Sequence, residues 1–136
     1  MMTNEVVRIA TDAVSAPAGH YSQATSWSGL VFVSGQLGRR QDGSHTYDQP
    51  FEVQARQALD NLLAVLRAAG CGPNQILRVT VFIAGAENWA RFNQIYAEWL
   101  GEAKPARTVV PVQELHHGYL VEVEAIAAQR LSIEKS

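Results

Sequence analysis

Hydrophobic spacing divides the first half of the chain into two strands and a helix. Residues 5–10 and 30–37 are rich in β-branched and apolar side chains, which predicts a strand in each, with a turn in the polar stretch 26–29. From Phe51 to Ala69 the apolar positions recur every three or four residues, which predicts a helix. Gly70 follows where a left-handed C-terminal cap is expected.

The second half of the chain repeats this alternation. Residues 76–85 predict a strand, and a helix then begins near Trp89 and ends before Gly101. Two further strands are predicted near 107–112 and 119–128. The order ββαβαββ, without a candidate linker, predicts one α+β domain over residues 1–136, with a single mixed sheet and both helices on one of its faces.

The last predicted strand has one apolar face and one mixed face. Its period of two separates Tyr119, Val121, Val123, Ala125 and Ala127 from Leu120, Glu122, Glu124, Ile126 and Ala128. We expect the first row to contact the helices. The second row mixes two carboxylates with large apolar side chains, whereas a solvated face would be mostly polar. We therefore expect identical subunits to cover the second face.

Composition narrows the classes of function. Eleven Lys and Arg residues against 13 Asp and Glu give a net charge of -2, which argues against nucleic acid as a partner. The single cysteine, Cys71, excludes an internal disulfide bond. No apolar run approaches the roughly 20 residues of a membrane-spanning helix, and the first residues contain no apolar signal segment. We expect a cytoplasmic protein that does not bind membranes.

A single charge opens the apolar strand KPARTVVPV at residues 104–112. An unpaired Arg107 enclosed there would be costly, so a partner is expected. The residue chemistry leaves two possibilities open. Arg107 forms an interface ion pair with Glu122, or it grips a small carboxylate through two parallel hydrogen bonds while a nearby carboxylate acts on a water or a proton.

Four motifs occur in order along residues 16–130. They are YSQA at 21–24, FVSGQLG at 32–38, KPARTV at 104–109 and VEVEAIA at 121–127. Together they resemble the successive signatures of the Rid (YjgF) family of enamine and imine deaminases, older members of which carry the name endoribonuclease L-PSP. The resemblance implies a chorismate-mutase-like fold and a homotrimeric barrel with three clefts between subunits.

The same resemblance implies a reaction and a set of site residues. A 2-aminoacrylate-type enamine, or its imine tautomer, would be hydrolysed to a 2-keto acid and ammonia without a metal or an organic cofactor. Arg107 would hold the substrate carboxylate and Glu122 would place the attacking water. Other residues at matching pocket positions are Tyr21, Ser34, Gly35, Asn93 and Val109. Two structural alternatives remain: Tyr21 could anchor a loop by its hydroxyl, and Ser34-Gly35 could be a strand bulge.

Several residues depart from the pattern of the family. Val109 stands where many members carry cysteine, so a thiol cannot take part. His20 stands where many members carry proline, directly before Tyr21. It adds a titratable group beside the pocket and is a further candidate for substrate binding. His116 and His117 could extend the pocket or face solvent, and at least one is expected to face solvent. On an extended segment they are expected to point in opposite directions, without a shared metal, and His45 is expected in an unrelated loop.

Three other functions remain as alternatives. A catabolic deaminase acting on substrates such as 2-aminomuconate would be consistent with the additional histidines. A trimeric, non-catalytic module that binds small carboxylates or regulates a partner would use the same arginine. Ribonuclease activity rests on the older family name, and the acidic charge balance counts against it.

Overall fold

The protein folds as one six-stranded sheet with two helices, seen in a computed structural model that describes residues 5–130. The strands are β1 (Val7–Ile9), β2 (Ala24–Trp27), β3 (Leu30–Gln36), β4 (Ile76–Ala84), β5 (Ala106–Val112) and β6 (Val121–Ala128), and the helices are α1 (Phe51–Ala68) and α2 (Trp89–Leu100). The strand order is β1-β2-β3-β6-β4-β5, with β4 and β5 parallel and the other pairs antiparallel. This confirms the predicted fold class of one mixed sheet with two helices.

The structure contains one strand more than the sequence pattern predicted. Residues 24–27 form β2, and the turn expected over 26–29 is only the pair Ser28-Gly29, since Trp27 is already paired with Leu30. Both turn residues have positive φ, 52° and 86°, as in the tight hairpin turns that match strand twist. The strand ATSW was missed because its inward residues, Ala24 and Ser26, are small rather than markedly apolar.

Both helices pack on the same face of the sheet and share its core. Six side chains of α1 are fully buried there, namely Ala55, Ala58, Leu59, Leu62, Val65 and Leu66. Phe92 and Ile95 of α2 are buried in the same cluster. Gly70 has φ 82° and ends α1 as expected, with Cys71 N donating to Leu66 O at 2.9 Å.

The opposite face of the sheet carries a mixture of apolar and charged side chains. In β6, Val121 and Val123 are 0% exposed on the helix face, while Glu122 points to the other face opposite Phe82. Phe32 of β3 also belongs to this second face and is 41% exposed. The predicted alternation of β6 is confirmed, and coverage of this face by other subunits remains a prediction.

No membrane-spanning helix is found within residues 5–130, because both helices are too short or too polar to cross a bilayer.

Candidate active site

The residues predicted for the site fall into two groups within one chain. Tyr21, Ser34, Gly35 and Glu122 line a cavity of about 420 Å³ at the end of the sheet where β3 finishes and β6 begins. Arg107, Asn93 and Val109 do not line this cavity. They lie instead around the edge strand β5 and helix α2.

Glu122 lies directly over the backbone of Gly35. A Cβ atom on Gly35 would lie 2.5 Å from Glu122 Oε2 and 3.0 Å from its Cδ, so no larger residue fits without moving the carboxylate. The pairing register of β3 and β6 shifts between Val33 and Gln36, which confirms a bulge at Ser34-Gly35. The bulge and the pocket position are therefore compatible, because the glycine leaves the space that Glu122 occupies.

The environment of Glu122 favours its neutral form. Burial raises the pKa of the half-buried carboxyl, and the charge of Glu124 raises it further, while His116 acts in the opposite direction. A carboxyl with a raised pKa can accept and return a proton more readily near neutral pH than an ordinary surface glutamate. Glu122 therefore has the chemistry of an acid or base group in the cavity.

Tyr21 and Ser34 form the wall beside Glu122. The Ser34 hydroxyl donates to Ser22 O at 2.6 Å, and Ser34 N donates to Gln23 O at 3.0 Å, so β3 holds the segment that carries Tyr21. Tyr21 is 54% exposed, and its hydroxyl has no hydrogen-bond partner within the described part of the chain. This geometry does not support the alternative that the hydroxyl anchors a loop.

A buried amide, Gln23, positions the loop that closes one side of the cavity. Its Oε1 accepts from Thr11 N at 2.7 Å, and its Nε2 donates to Thr11 O and Ser15 O at 3.1 and 3.2 Å. Gln23 is only 5% exposed, so these bonds are shielded from water. They hold the residues around Ser15, which line the cavity.

Three histidines line the cavity, which corrects two expectations from the sequence. His116 and His117 were expected to point apart, but their ring centroids are 3.8 Å apart because the segment is a tight turn with His117 at φ 60°. His45 was expected in an unrelated loop, yet its ring lies 4.6 Å from that of His117. Despite this proximity, no set of three His, Cys, Asp or Glu residues among 5–130 is arranged to hold a metal ion.

The ring of His45 is held by a hydrogen bond to a buried tyrosine. Its Nδ1 lies 2.8 Å from the hydroxyl of Tyr119, which is 1% exposed and accepts from Thr46 N at 3.1 Å. The buried hydroxyl hydrogen finds an acceptor when it is donated to Nδ1. In that arrangement the proton of a neutral His45 ring is on Nε2, which is available as a donor.

Arg107 lies on the helix face of the sheet, because it is paired with the buried Val79. Its Nη1 donates to Asn93 Oδ1 at 2.8 Å, and its guanidinium carbon lies 5.1 Å from the centroid of the Tyr96 ring. Burial raises the pKa of Tyr96 to about 12 against the opposing effect of Arg107, so Tyr96 stays neutral and contacts the guanidinium through its ring. Within residues 5–130, Arg107 has no ion-pair partner.

Val109 and His20, the two remaining predicted site residues, do not line the cavity. Val109 is partly buried against the core, two residues along β5 from Arg107. His20 is exposed and is not among the residues that line the cavity. Its predicted role in substrate binding therefore has no support from the geometry of a single chain.

Arg107 and Glu122 lie on opposite faces of one sheet, since they are paired with Val79 on the helix face and Phe82 on the other. The two side chains cannot form an ion pair within the same chain. Within one chain, the guanidinium at the sheet edge and the carboxyl in the cavity are therefore separate groups.

Known proteins show the same sequence pattern and the same fold. The sequence profile described as Endoribonuclease L-PSP matches residues 11–129. A RutC family protein of Pyrococcus horikoshii is 38% identical over 88% of this chain and 94% of its own. The 2-iminobutanoate/2-iminopropanoate deaminase of Mus musculus is 34% identical over 93% of this chain and 95% of its own.

A solved structure, that of TdcF from E. coli with bound serine, superimposes with a TM-score of 0.85 at 31% identity, covering 90% of this chain and 98% of that one. The chain belongs to the Rid (YjgF, endoribonuclease L-PSP) family. Some members at this level of identity are named 2-iminobutanoate/2-iminopropanoate deaminase, and others carry different names.

The sequence pattern missed Arg39 and His45, both of which line the cavity. Asn61 of α1 fixes the strand-end segment that contains Arg39, because its Nδ2 donates to Leu37 O and Arg39 O at 3.0 and 2.7 Å. His45 is held by Tyr119, which is 74 residues away in the chain. Local spacing carries no signal for contacts of this kind.

Proposed function

We propose that this protein is an imine deaminase that hydrolyses 2-imino acids, or their enamine tautomers, to 2-keto acids and ammonia. Its active site forms between two copies of the chain in a homotrimer. Arg107 of one copy holds the substrate carboxylate, and the Glu122 cavity of the next copy receives the imine carbon. The placement of these two side chains on opposite faces of one sheet is the observation that carries this proposal.

The chemistry requires little beyond positioning. Water adds to the imine carbon to give a tetrahedral carbinolamine, and this intermediate loses ammonia to leave the ketone. Glu122 takes a proton from the attacking water and returns one to the departing nitrogen, for which its raised pKa is suited. Arg107, oriented by Asn93 and Tyr96, fixes the substrate through its carboxylate.

Other residues take supporting roles in this proposal. Ser34 and Gly35 shape the wall against which Glu122 lies, and Tyr21 contributes an exposed hydroxyl beside it. Val109 supplies an apolar contact near Arg107 and cannot supply a thiol. The relatives named 2-iminobutanoate/2-iminopropanoate deaminase and the serine bound to the related E. coli protein support small amino-acid-like substrates.

The test is the rate of keto acid formation from 2-iminopropanoate generated continuously by an amino acid oxidase. We expect the protein to accelerate keto acid formation above the buffer rate. Arg107→Ala and Glu122→Gln each remove this acceleration, while Arg67→Ala, an exposed arginine at the end of α1, retains it.

Three results would contradict the proposal in whole or in part. Several 2-imino acids hydrolysing at the buffer rate would exclude catalysis, and binding of keto acids without turnover would favour a carboxylate-binding module. A fully active Arg107→Ala protein would remove Arg107 from the site.

A further inference from the structure

We infer that the cavity accepts 2-imino acids whose side chain ends in a second carboxylate, with Arg39, His45 and His117 forming the subsite for that group. This inference rests on the proposed function and specifies its substrate class. The reaction is unchanged and balanced: the imino dicarboxylate and water give a 2-keto dicarboxylate and ammonia.

The size of the cavity leaves room for a longer substrate. Its volume is about 420 Å³. A three-carbon imino acid has six non-hydrogen atoms, which at the roughly 30 Å³ that a molecule of liquid water takes would fill about 180 Å³. More than half of the cavity would remain beyond the reacting group.

Polar groups are unevenly distributed in the cavity wall. Among the residues described, Glu122 is the only acidic side chain that lines it, whereas Arg39 and three imidazoles line it as well. The rings form a contiguous row, with centroids 3.8 Å apart from His116 to His117 and 4.6 Å apart from His117 to His45. Glu122 therefore lies in a cavity whose wall also carries many hydrogen-bond donors.

Electrostatic interactions connect Glu122, the histidine rings and Arg39. The pKa of Glu122 responds to His116, whereas the pKa of His117 is lowered by desolvation and then by His116, His45 and Arg39. Arg39 thus acts on His117, the middle ring of the row, whereas His116 is the one of the three rings that acts on the pKa of Glu122. An anion bound there would relieve the mutual repulsion that lowers the pKa of His117.

Arg39 is held in place but has no carboxylate partner within residues 5–130. Its Nε donates to Gly43 O at 3.0 Å, which fixes the side chain and leaves its terminal N–H groups as donors. A guanidinium held by its Nε with free terminal nitrogens is suited to a bidentate carboxylate contact. Together with the Nε2 donor of His45, it supplies the groups that an acidic side chain needs.

Two five-carbon substrates test the inference: 2-iminoglutarate, which has the second carboxylate, and 2-iminopentanoate, which lacks it. We expect the wild-type protein to accelerate hydrolysis of 2-iminoglutarate. In Arg39→Gln, the ratio of kcat/KM for 2-iminoglutarate to that for 2-iminopentanoate should fall about 10-fold or more, the loss typical of one charge-assisted hydrogen bond. Arg39→Lys, which keeps the charge, should restore part of this ratio.

The matched control is Arg67→Gln at an exposed arginine near the end of α1, which does not line the cavity. It should leave the ratio unchanged. Acceleration of 2-iminopentanoate alone, or an unchanged ratio in Arg39→Gln, overturns the inference and leaves the proposed function intact.

If 2-iminopropanoate is hydrolysed faster than in buffer and neither five-carbon imine is, the inference fails and the proposed function stands. If none of the three imines is accelerated, the proposed function fails, and ligand binding then tests the subsite. Tighter binding of 2-oxoglutarate than of 2-oxopentanoate, lost in Arg39→Gln, supports it. Equal binding of the two keto acids overturns it.

Discussion

Glu122 and Gly35 form the tightest steric arrangement in the candidate site. A Cβ at Gly35 would approach the carboxylate to 2.5 Å, so Gly35→Ala must displace Glu122. We expect kcat/KM for 2-iminopropanoate to fall about 100-fold, as is typical when a reacting group moves by about 1 Å. Steady-state kinetics on the purified variant measures this loss.

The matched control for that substitution is Gly72→Ala. A Cβ there meets nothing closer than Gln75 Oε1 at 3.8 Å, and its φ of -116° suits alanine. Its activity should equal that of the wild type. An active Gly35→Ala protein would show that Glu122 does not need its observed position.

The raised pKa of Glu122 predicts opposite responses to its two charged neighbours. Burial is the largest cause and Glu124 the next, while His116 lowers the value. Glu124→Gln should therefore move the midpoint of the Glu122 titration to lower pH, and His116→Gln should move it to higher pH. NMR titration of the side-chain carboxyl carbon measures both midpoints. A shift in the same direction for both variants would contradict the assigned environment.

At the level of secondary-structure elements, α2 orients the guanidinium of Arg107. Asn93 accepts from the guanidinium at 2.8 Å, so Asn93→Ala leaves Arg107 less well oriented. We expect KM to rise about 5-fold with kcat little changed, the loss of one modest hydrogen bond. Gln94→Ala on the next position of the helix, where Gln94 contacts Arg91 instead, is the control. Equal KM values for the two variants would exclude this role for Asn93.

The loop that contains Thr11 and Ser15 depends on the buried amide of Gln23. Gln23→Ala leaves one N–H and two carbonyl groups without their partner, which should lower the free energy of unfolding by about 1–3 kcal/mol. Gln41→Ala removes an exposed bond to the same loop, to Asp12 O, and should change stability by less than about 0.5 kcal/mol. Urea unfolding compares the two, and equal losses would contradict the structural role of Gln23.

Elements with a strong period were predictable from the sequence, and short or polar ones were not. The helix from Phe51 was predicted because its apolar residues recur at helical spacing and Gly70 follows as a C-terminal cap. Val53, one of those apolar residues, is 37% exposed. β2 was missed because its inward residues, Ala24 and Ser26, are small. The turn at His116 and His117 was missed because the positive φ of His117 has no signature in the local sequence.

For the whole molecule, the resemblance to the family predicted candidate site residues in clefts between subunits, and the structure shows how one chain arranges them. Arg107 and Glu122 were predicted together, yet one chain holds them on opposite faces of its sheet. The contacts that shape the cavity, such as His45 with Tyr119, join residues far apart in the chain. Such contacts arise from the packing of the whole fold and cannot be deduced from spacing.

We expect Arg107 and Glu122 to act together only across a subunit interface. Arg107→Ala and Glu122→Gln chains, each inactive alone, should therefore complement one another when they are unfolded together and refolded as mixed trimers. In random 1:1 mixtures, about a quarter of the clefts would pair an intact Arg107 with an intact Glu122, so about a quarter of the wild-type activity should return.

The direct measurement is the rate of 2-iminopropanoate hydrolysis by such mixed trimers, after native mass spectrometry has established assemblies of three 14.9 kDa chains containing both variants. We expect the mixture to recover activity and each parent to remain inactive. Mixed trimers as inactive as their parents would contradict this expectation.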